Sequence, residues 1–206
     1  MSSFVGLLSD GAPRPFDVHR SGTVFGDGAG AVVLESLDSA KTRGAALLGE
    51  FLGSGCVTEG AGILDVRPDG DGVARAIALA LADAGIWPGE VGMIVAHGTG
   101  TRASDASEVL GFRRVFGDAI PPVTAFKWAY GHTIAASGSI DLVVALAALQ
   151  AGVVPGIPTL ETLDPELAPL PVSPASRQLA GDVALLICRA FSGMNLALVV
   201  RAGSNL

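Results

Sequence analysis

The sequence predicts an α/β layered fold. Three observations carry that expectation. Short apolar, β-rich runs alternate with longer runs of helical period. Glycine or proline punctuates most changes between them. No tandem repeat of roughly 20–50 residues is visible.

The elements follow in order. Residues 1–20 read as loop or a short helix tail, ending in "APRPFDVHRSG". Residues 23–37, "TVFGDGAGAVVLESL", read as a glycine-punctuated turn running into a β-rich stretch. "ALLGEFLGSGCV" reads as a strand bent at its glycines. In "DGDGVARAIALALADAG" the residues Val73, Ile77, Ala80, Leu81 and Ala84 fall at helical intervals. Asp69 or Asp71 caps its start and Gly85 ends it. "VGMIVAHGTG" is a short buried strand (93–96) emptying into a polar glycine loop. "SDASEVLGFRRVFG" is a second helix, with Asp105 and Glu108 spaced as a capping box. "PPVTAF" is a strand. "TIAASGSIDLVVALAALQAG" is a third helix whose first two turns are nearly all small residues. The Pro-rich stretch from "VVPGIPTLETL" to "SPASRQ" is mostly irregular. "DVALLICRAFSGMNLALVVRA" reads as two strands around a tight turn near Ser192 and Gly193.

At 206 residues there is room for one large domain or two small ones. Hydrophobic residues make up 50% and charged residues only 16%. That is apolar for a free-standing domain and points to surface buried by a partner or by further chain. The longest apolar runs break at Gly or Pro or contain Asp141, short of the about 18 residues of a membrane span, so no membrane segment is expected. The net charge of −7, without a basic cluster, argues against nucleic acid. Cys56 and Cys188 form no C-x-x-C and adjoin no histidine. Neither a disulfide framework nor a metal site is expected, and both read as buried, inert thiols. The start "MSSFVGLLSDG" lacks a basic stretch followed by an apolar core, so no signal peptide and a cytoplasmic setting are expected.

Two polar islands stand where strands give way to helices: "HGTGTRASD" from His97 and "KWAYGH" from Lys127. In open α/β sheets that edge is where ligands sit. His97 with Thr99 and Thr101 offers a ring N–H and hydroxyls from one loop, and Gly98 and Gly100 let backbone approach a ligand. Lys127 and His132 add a cation and a second imidazole. Two imidazoles aimed at one carbonyl oxygen stabilise an oxyanion or enolate. Each residue also has a plain reading, as a structural histidine, a solvated lysine or a simple turn.

"HGTGT" followed by "K-x-x-x-G-H" resembles the β-ketoacyl-acyl-carrier-protein synthases, the condensing enzymes of fatty acid and polyketide synthesis. "RPFDVHRSGTVFGDGAGAVVLE", "GVVPGIPTLETLDPEL" and "CRAFSGMNLALVV" resemble three further segments of that family, in order, from about residue 11 to about residue 201. The resemblance implies a thiolase-like fold, of which this chain is the C-terminal half of the layered αβαβα sandwich. Residues 1–22 would be the tail of the preceding half with its connecting loop, and residues 23–206 the C-terminal domain. It implies that His97 and His132 polarise a malonyl thioester, that Lys127 orders the site, and that Asp141 stands where many members carry a glutamate. Asp is one methylene shorter, which leaves that pairing open. Thr99 and Thr101 resemble the threonines that bind the phosphopantetheine arm, and Phe191 the gating phenylalanine.

The family's nucleophilic cysteine belongs to the N-terminal half and has no counterpart here. The resemblance therefore implies a companion chain or missing half carrying it, an acyl carrier protein as partner, a dimer of synthase subunits, and no cofactor beyond the carrier's phosphopantetheine. Trp128 and Tyr130 depart from the family pattern, where small or polar residues are usual; they either shape an acyl pocket or pack in the core. Arg189 and Ser192 depart in the last loop, where Phe and Gly are frequent. His19 reads as a surface or structural residue. Arg113 and Arg114 are either a carrier-protein contact or a solvated helix face. The alternative to an active condensing half is a non-catalytic partner resembling the chain-length factors, or an inactive relict. Retention of His97, Lys127 and His132 favours the active reading.

Overall fold

The computed structural model describes residues 7–203. Helix α1 (Leu37–Thr42) precedes β1 (Gly49–Thr58), α2 (Asp71–Ala84), β2 (Met93–Val95), α3 (Arg102–Phe116) and β3 (Val123–Thr124). Then come α4 (Lys127–Tyr130), α5 (Ser137–Ala151), β4 (Val153–Val154), β5 (Arg177–Gln178), β6 (Val183–Ala190) and β7 (Met194–Ala202). Five strands make one sheet in the order β1-β7-β6-β2-β3, and β4 pairs with β5 in a separate ribbon. β1, β7 and β6 are antiparallel neighbours; β6, β2 and β3 run parallel.

The period-two alternation of the central strands divides the core. Ile94, Leu185, Ile187, Ala197 and Val199 point to one face, where they meet Val73, Ile77 and Leu81 of α2 and Val109 and Phe112 of α3. Met93, Val95, Ala184, Leu186 and Val200 point to the other, against Ala145, Ala148 and Leu149 of α5. The result is three layers, helices α2 and α3, the sheet, and α5. Each fully buried aliphatic side chain contributes about 1.5–3 kcal/mol. The glycines of β1 permit a close approach to α2: a Cβ at Gly55 would lie 2.2 Å from the Ala76 carbonyl oxygen. The ladder shifts register between Phe51 and Gly53, the bend expected from that stretch.

Several expectations are corrected. Residues 27–36 form no strand; they carry the exposed Val32, Val33 and Leu34 and join no β-ladder among the described residues. A β-rich segment becomes a strand only beside a sheet edge with free N–H and C=O groups, and the sheet of this chain does not reach it. Helix α2 is capped by Gly70, while the Asp69 carboxylate accepts the Asp71 N–H at 3.1 Å. Helix α3 begins after Thr101, so Asp105 and Glu108 lie inside it and form no capping box. A single 3-10 turn, Ile134–Ala136, precedes α5 and delays its start. The Pro-rich stretch holds the β4–β5 ribbon, and α1 was not anticipated. Cys56 is exposed, because its place in β1 faces away from α2; Cys188 is half-buried.

The helical stretch Ile134–Ala151 is long and apolar enough to cross a membrane by length and composition, although only 28% of it is buried within this chain. Asp141 interrupts it and is ion-paired inside the protein. α5 is apolar nearly all round, the pattern of a helix covered on two sides, yet only one side meets this sheet.

Candidate active site

The loop after β2 holds His97, Gly98, Thr99, Gly100 and Thr101. Its backbone is gripped by two carboxylates from α3. Glu108 accepts the N–H of His97 at 2.6 Å and of Gly98 at 3.1 Å. Asp105 accepts the N–H of Gly100 at 3.2 Å and of Phe16 at 2.9 Å. Both carboxylates are fully buried. Burial pushes the Asp105 carboxyl up to about 7, against the pull of those N–H groups and of Arg20. Gly98 and Gly100 have φ of 45° and 80°, and a Cβ at Gly98 would lie 2.5 Å from that of Ala125. The loop is thus a fixed platform. The Thr99 and Thr101 hydroxyls bond each other at 3.0 Å, which leaves one O–H to donate outward.

The segment from Arg14 to Arg20 closes over this platform. Asp17 accepts the N–H groups of Glu161 and Thr162, and Arg20 bonds Asp164 at 2.5 Å. His19 is exposed, as expected, and only its backbone bonds Asp17.

His97 and His132 come together edge to face, ring centroids 5.2 Å apart and planes at 83°. His97 Nδ1 accepts the backbone N–H of Arg189 at 3.4 Å. His132 Nδ1 accepts the N–H of Ile134 at 3.1 Å and lies 2.9 Å from the Ser137 hydroxyl. With Nδ1 used as acceptor, the proton of each neutral ring resides on Nε2. Burial, and next the Lys127 ammonium, hold His97 well below the ordinary imidazole range and His132 at about 4. Two neutral imidazoles therefore each keep an Nε2–H to donate, an arrangement suited to a carbonyl oxygen that gains negative charge.

Lys127 is fully buried, and its Nζ meets Asp141 Oδ2 at 3.2 Å. The shorter Asp141 does reach the lysine. Its other oxygen accepts the Tyr130 hydroxyl. Trp128 is half-buried against the α2–α3 side of the core, which is packing and not a free pocket wall. Phe191 is half exposed on the β6–β7 turn, where Ser192 and Gly193 have φ of 65° and 73°. Burial, and next the Asp141 charge, push the Cys188 thiol up to about 11, the opposite of an activated nucleophile.

Sequence reasoning missed the roles of two contributors. Glu108 was read only as a capping residue, although an i, i+3 acidic pair directly after a glycine loop was the available signal. Arg189 is buried and bonds Asn195 Oδ1 at 2.9 Å, the Ser104 carbonyl at 3.1 Å and Glu59 at 3.3 Å. Its signals were its place where Phe is frequent in the family pattern and a lone arginine at the end of an apolar strand.

The family model for the beta-ketoacyl synthase, C-terminal domain, matches residues 48–161. A 3-oxoacyl-[acyl-carrier-protein] synthase 2 of Synechocystis sp. is 39% identical over 92% of this chain and 46% of its own length. A putative polyketide beta-ketoacyl synthase 1 of Streptomyces virginiae is 37% identical over 94% of this chain and 46% of its own length. Among solved structures, the ishigamide ketosynthase/chain length factor matches with a TM-score of 0.91 at 37% identity, over 97% of this chain and 49% of that one. A beta-ketoacyl synthase from Burkholderia phymatum matches with a TM-score of 0.92 at 31% identity, over 98% and 50%. The chain spans about half the length of the curated relatives it matches.

Proposed function

The chain belongs to the β-ketoacyl synthase family, as its C-terminal domain with a thiolase-like fold, and from that membership we propose that it is the histidine-and-lysine half of a condensing enzyme. The observation that carries the reading is the His97–His132 pair, two neutral rings at 5.2 Å with both Nδ1 atoms already occupied. The Nε2–H groups receive the thioester oxygen of malonyl carrier protein. The bond from C2 to the carboxylate breaks, carbon dioxide leaves, and the electron pair forms an enolate held by both donors. The enolate carbon then attacks an acyl thioester on a cysteine of the companion half. That carbon–sulfur bond breaks, the thiolate departs, and a β-ketoacyl thioester remains on the carrier.

The reading needs no metal or resident cofactor, because the charge that develops is held by ring N–H groups and by Lys127. Thr99 and Thr101 hold the carrier's phosphopantetheine arm, and Phe191 gates the acyl channel. The companion half supplies the cysteine and covers α5. Residues 27–36 add to its sheet, since they carry exposed Val33 and Leu34 and join no strand among the described residues. Acyl carrier protein is the substrate-bearing partner, the assembly is a dimer of such synthases, and its setting is the cytoplasm.

A second reading has an observation behind it: two solved relatives are a ketosynthase/chain length factor and a ketosynthase in complex with its chain length factor. It makes this chain a non-catalytic partner. The test is to purify the chain with its companion and assay condensation of an acyl thioester with malonyl carrier protein. The proposal expects product from the pair and none from the 206-residue chain alone. Condensation by the isolated chain lacking both cysteines would sink the reading, and a pair whose rate ignores His97 and His132 would favour the second.

A further inference from the structure

Asp141 sits between two side chains of one helical turn. Lys127 and Tyr130 open and close α4, three residues apart and on the same face. Asp141 projects from the start of α5, with Oδ2 on the Lys127 ammonium at 3.2 Å and Oδ1 on the Tyr130 hydroxyl. Lys127 and Asp141 are 0% and 1% exposed. A buried ammonium keeps its charge only beside a held carboxylate. Asp has a short stem, so its carboxylate reaches the lysine in few orientations. Without a donor, its second oxygen would be a buried unsatisfied acceptor free to turn the group away. Burial, and next the Asp141 charge, push the Tyr130 phenol far above the ordinary tyrosine range, so it remains a donor.

We propose that Tyr130 is a positioning residue for Lys127: its hydroxyl fixes one oxygen of Asp141 so that the other stays on the ammonium. Tyr130 and Asp141 together do what one longer carboxylate would do alone. This accounts for a bulky tyrosine beside the site while Trp128 packs in the core. A glutamate at 141 should make the hydroxyl dispensable.

Tyr130 is the chain's single tyrosine, so tyrosinate absorbance of the full chain reads it alone. The parent chain is expected to show no tyrosinate at about pH 10, where free tyrosine ionises, and Asp141→Asn to bring the ionisation down toward that range. Ionisation in the ordinary range in the parent overturns the proposal. The Lys127 ammonium, followed by nitrogen–proton spectroscopy, supplies the second arm. Tyr130→Phe is expected to speed its proton exchange about tenfold, the worth of one hydrogen bond to a charged group. Tyr130→Phe with Asp141→Glu returns it to the parental rate. Unchanged exchange in Tyr130→Phe, or a double variant no better than the single, overturns the proposal. Should Tyr130→Phe fail to fold, 3-fluorotyrosine keeps ring and hydroxyl. Its fluorine resonance is expected to move on Asp141→Asn, and an unmoved resonance counts against the proposal. The consequence for catalysis rests on the condensing-enzyme reading. The spectra do not, so either can fail while the other stands.

Discussion

Burial and the Lys127 ammonium act in the same direction on His132, holding the ring's pKa at about 4. Its reference value is 6.5, so below that pH the unfolded chain binds a proton that the folded ring refuses. Stability from this group is full above about pH 6.5 and falls as the pH drops toward 4. The ring should therefore stay neutral across the working range, and Lys127→Met, which removes a positive charge, should raise its pKa. Proton spectra of the ring read this directly; titration near 6.5 in the folded parent contradicts it. The residues that could be found from sequence were those in local motifs. His97, Thr99 and Thr101 share one loop, and Lys127 and His132 share another. Arg189 stood out as a departure from the family pattern, but its role could not be read, because its partners Glu59, Ser104 and Asn195 come from three separate segments.

Helix α3 shows why element-level reading stopped short. Asp105 and Glu108 have capping-box spacing, but the helix starts at Arg102 and turns both carboxylates onto the loop before it. The same pair that looked like a local stop signal is a tertiary clasp. Glu108→Ala leaves the N–H groups of His97 and Gly98 buried without acceptors. It should cost about 2–3 kcal/mol, at about 1–3 kcal/mol per orphaned group less the relief of removing a buried carboxylate. Denaturant unfolding of the full chain measures this; a loss under about 0.5 kcal/mol, the level of an ordinary surface change, contradicts the clasp. The alternating strands and helices were legible because period and punctuation are local. The stretch 27–36 was misread because a strand is a property of two segments, and no described strand pairs with it.

At the scale of the whole molecule, the excess apolar composition has a visible location. α5 shows Val143 to solvent, and Val33, Leu34 and Phe25 stand exposed nearby in sequence to the site segment. A companion half that covers these surfaces should abolish binding of a hydrophobic dye that the isolated chain takes up; equal dye binding with and without it contradicts the half-molecule account. The central claim is that His97 and His132 hold the enolate oxygen while the cysteine comes from elsewhere. Malonyl carrier protein decarboxylation by the assembled pair, parent against His132→Ala, tests it most directly. The account predicts a fall of about 100-fold or more, the worth of one oxyanion donor, and decarboxylation at the parental rate would contradict it.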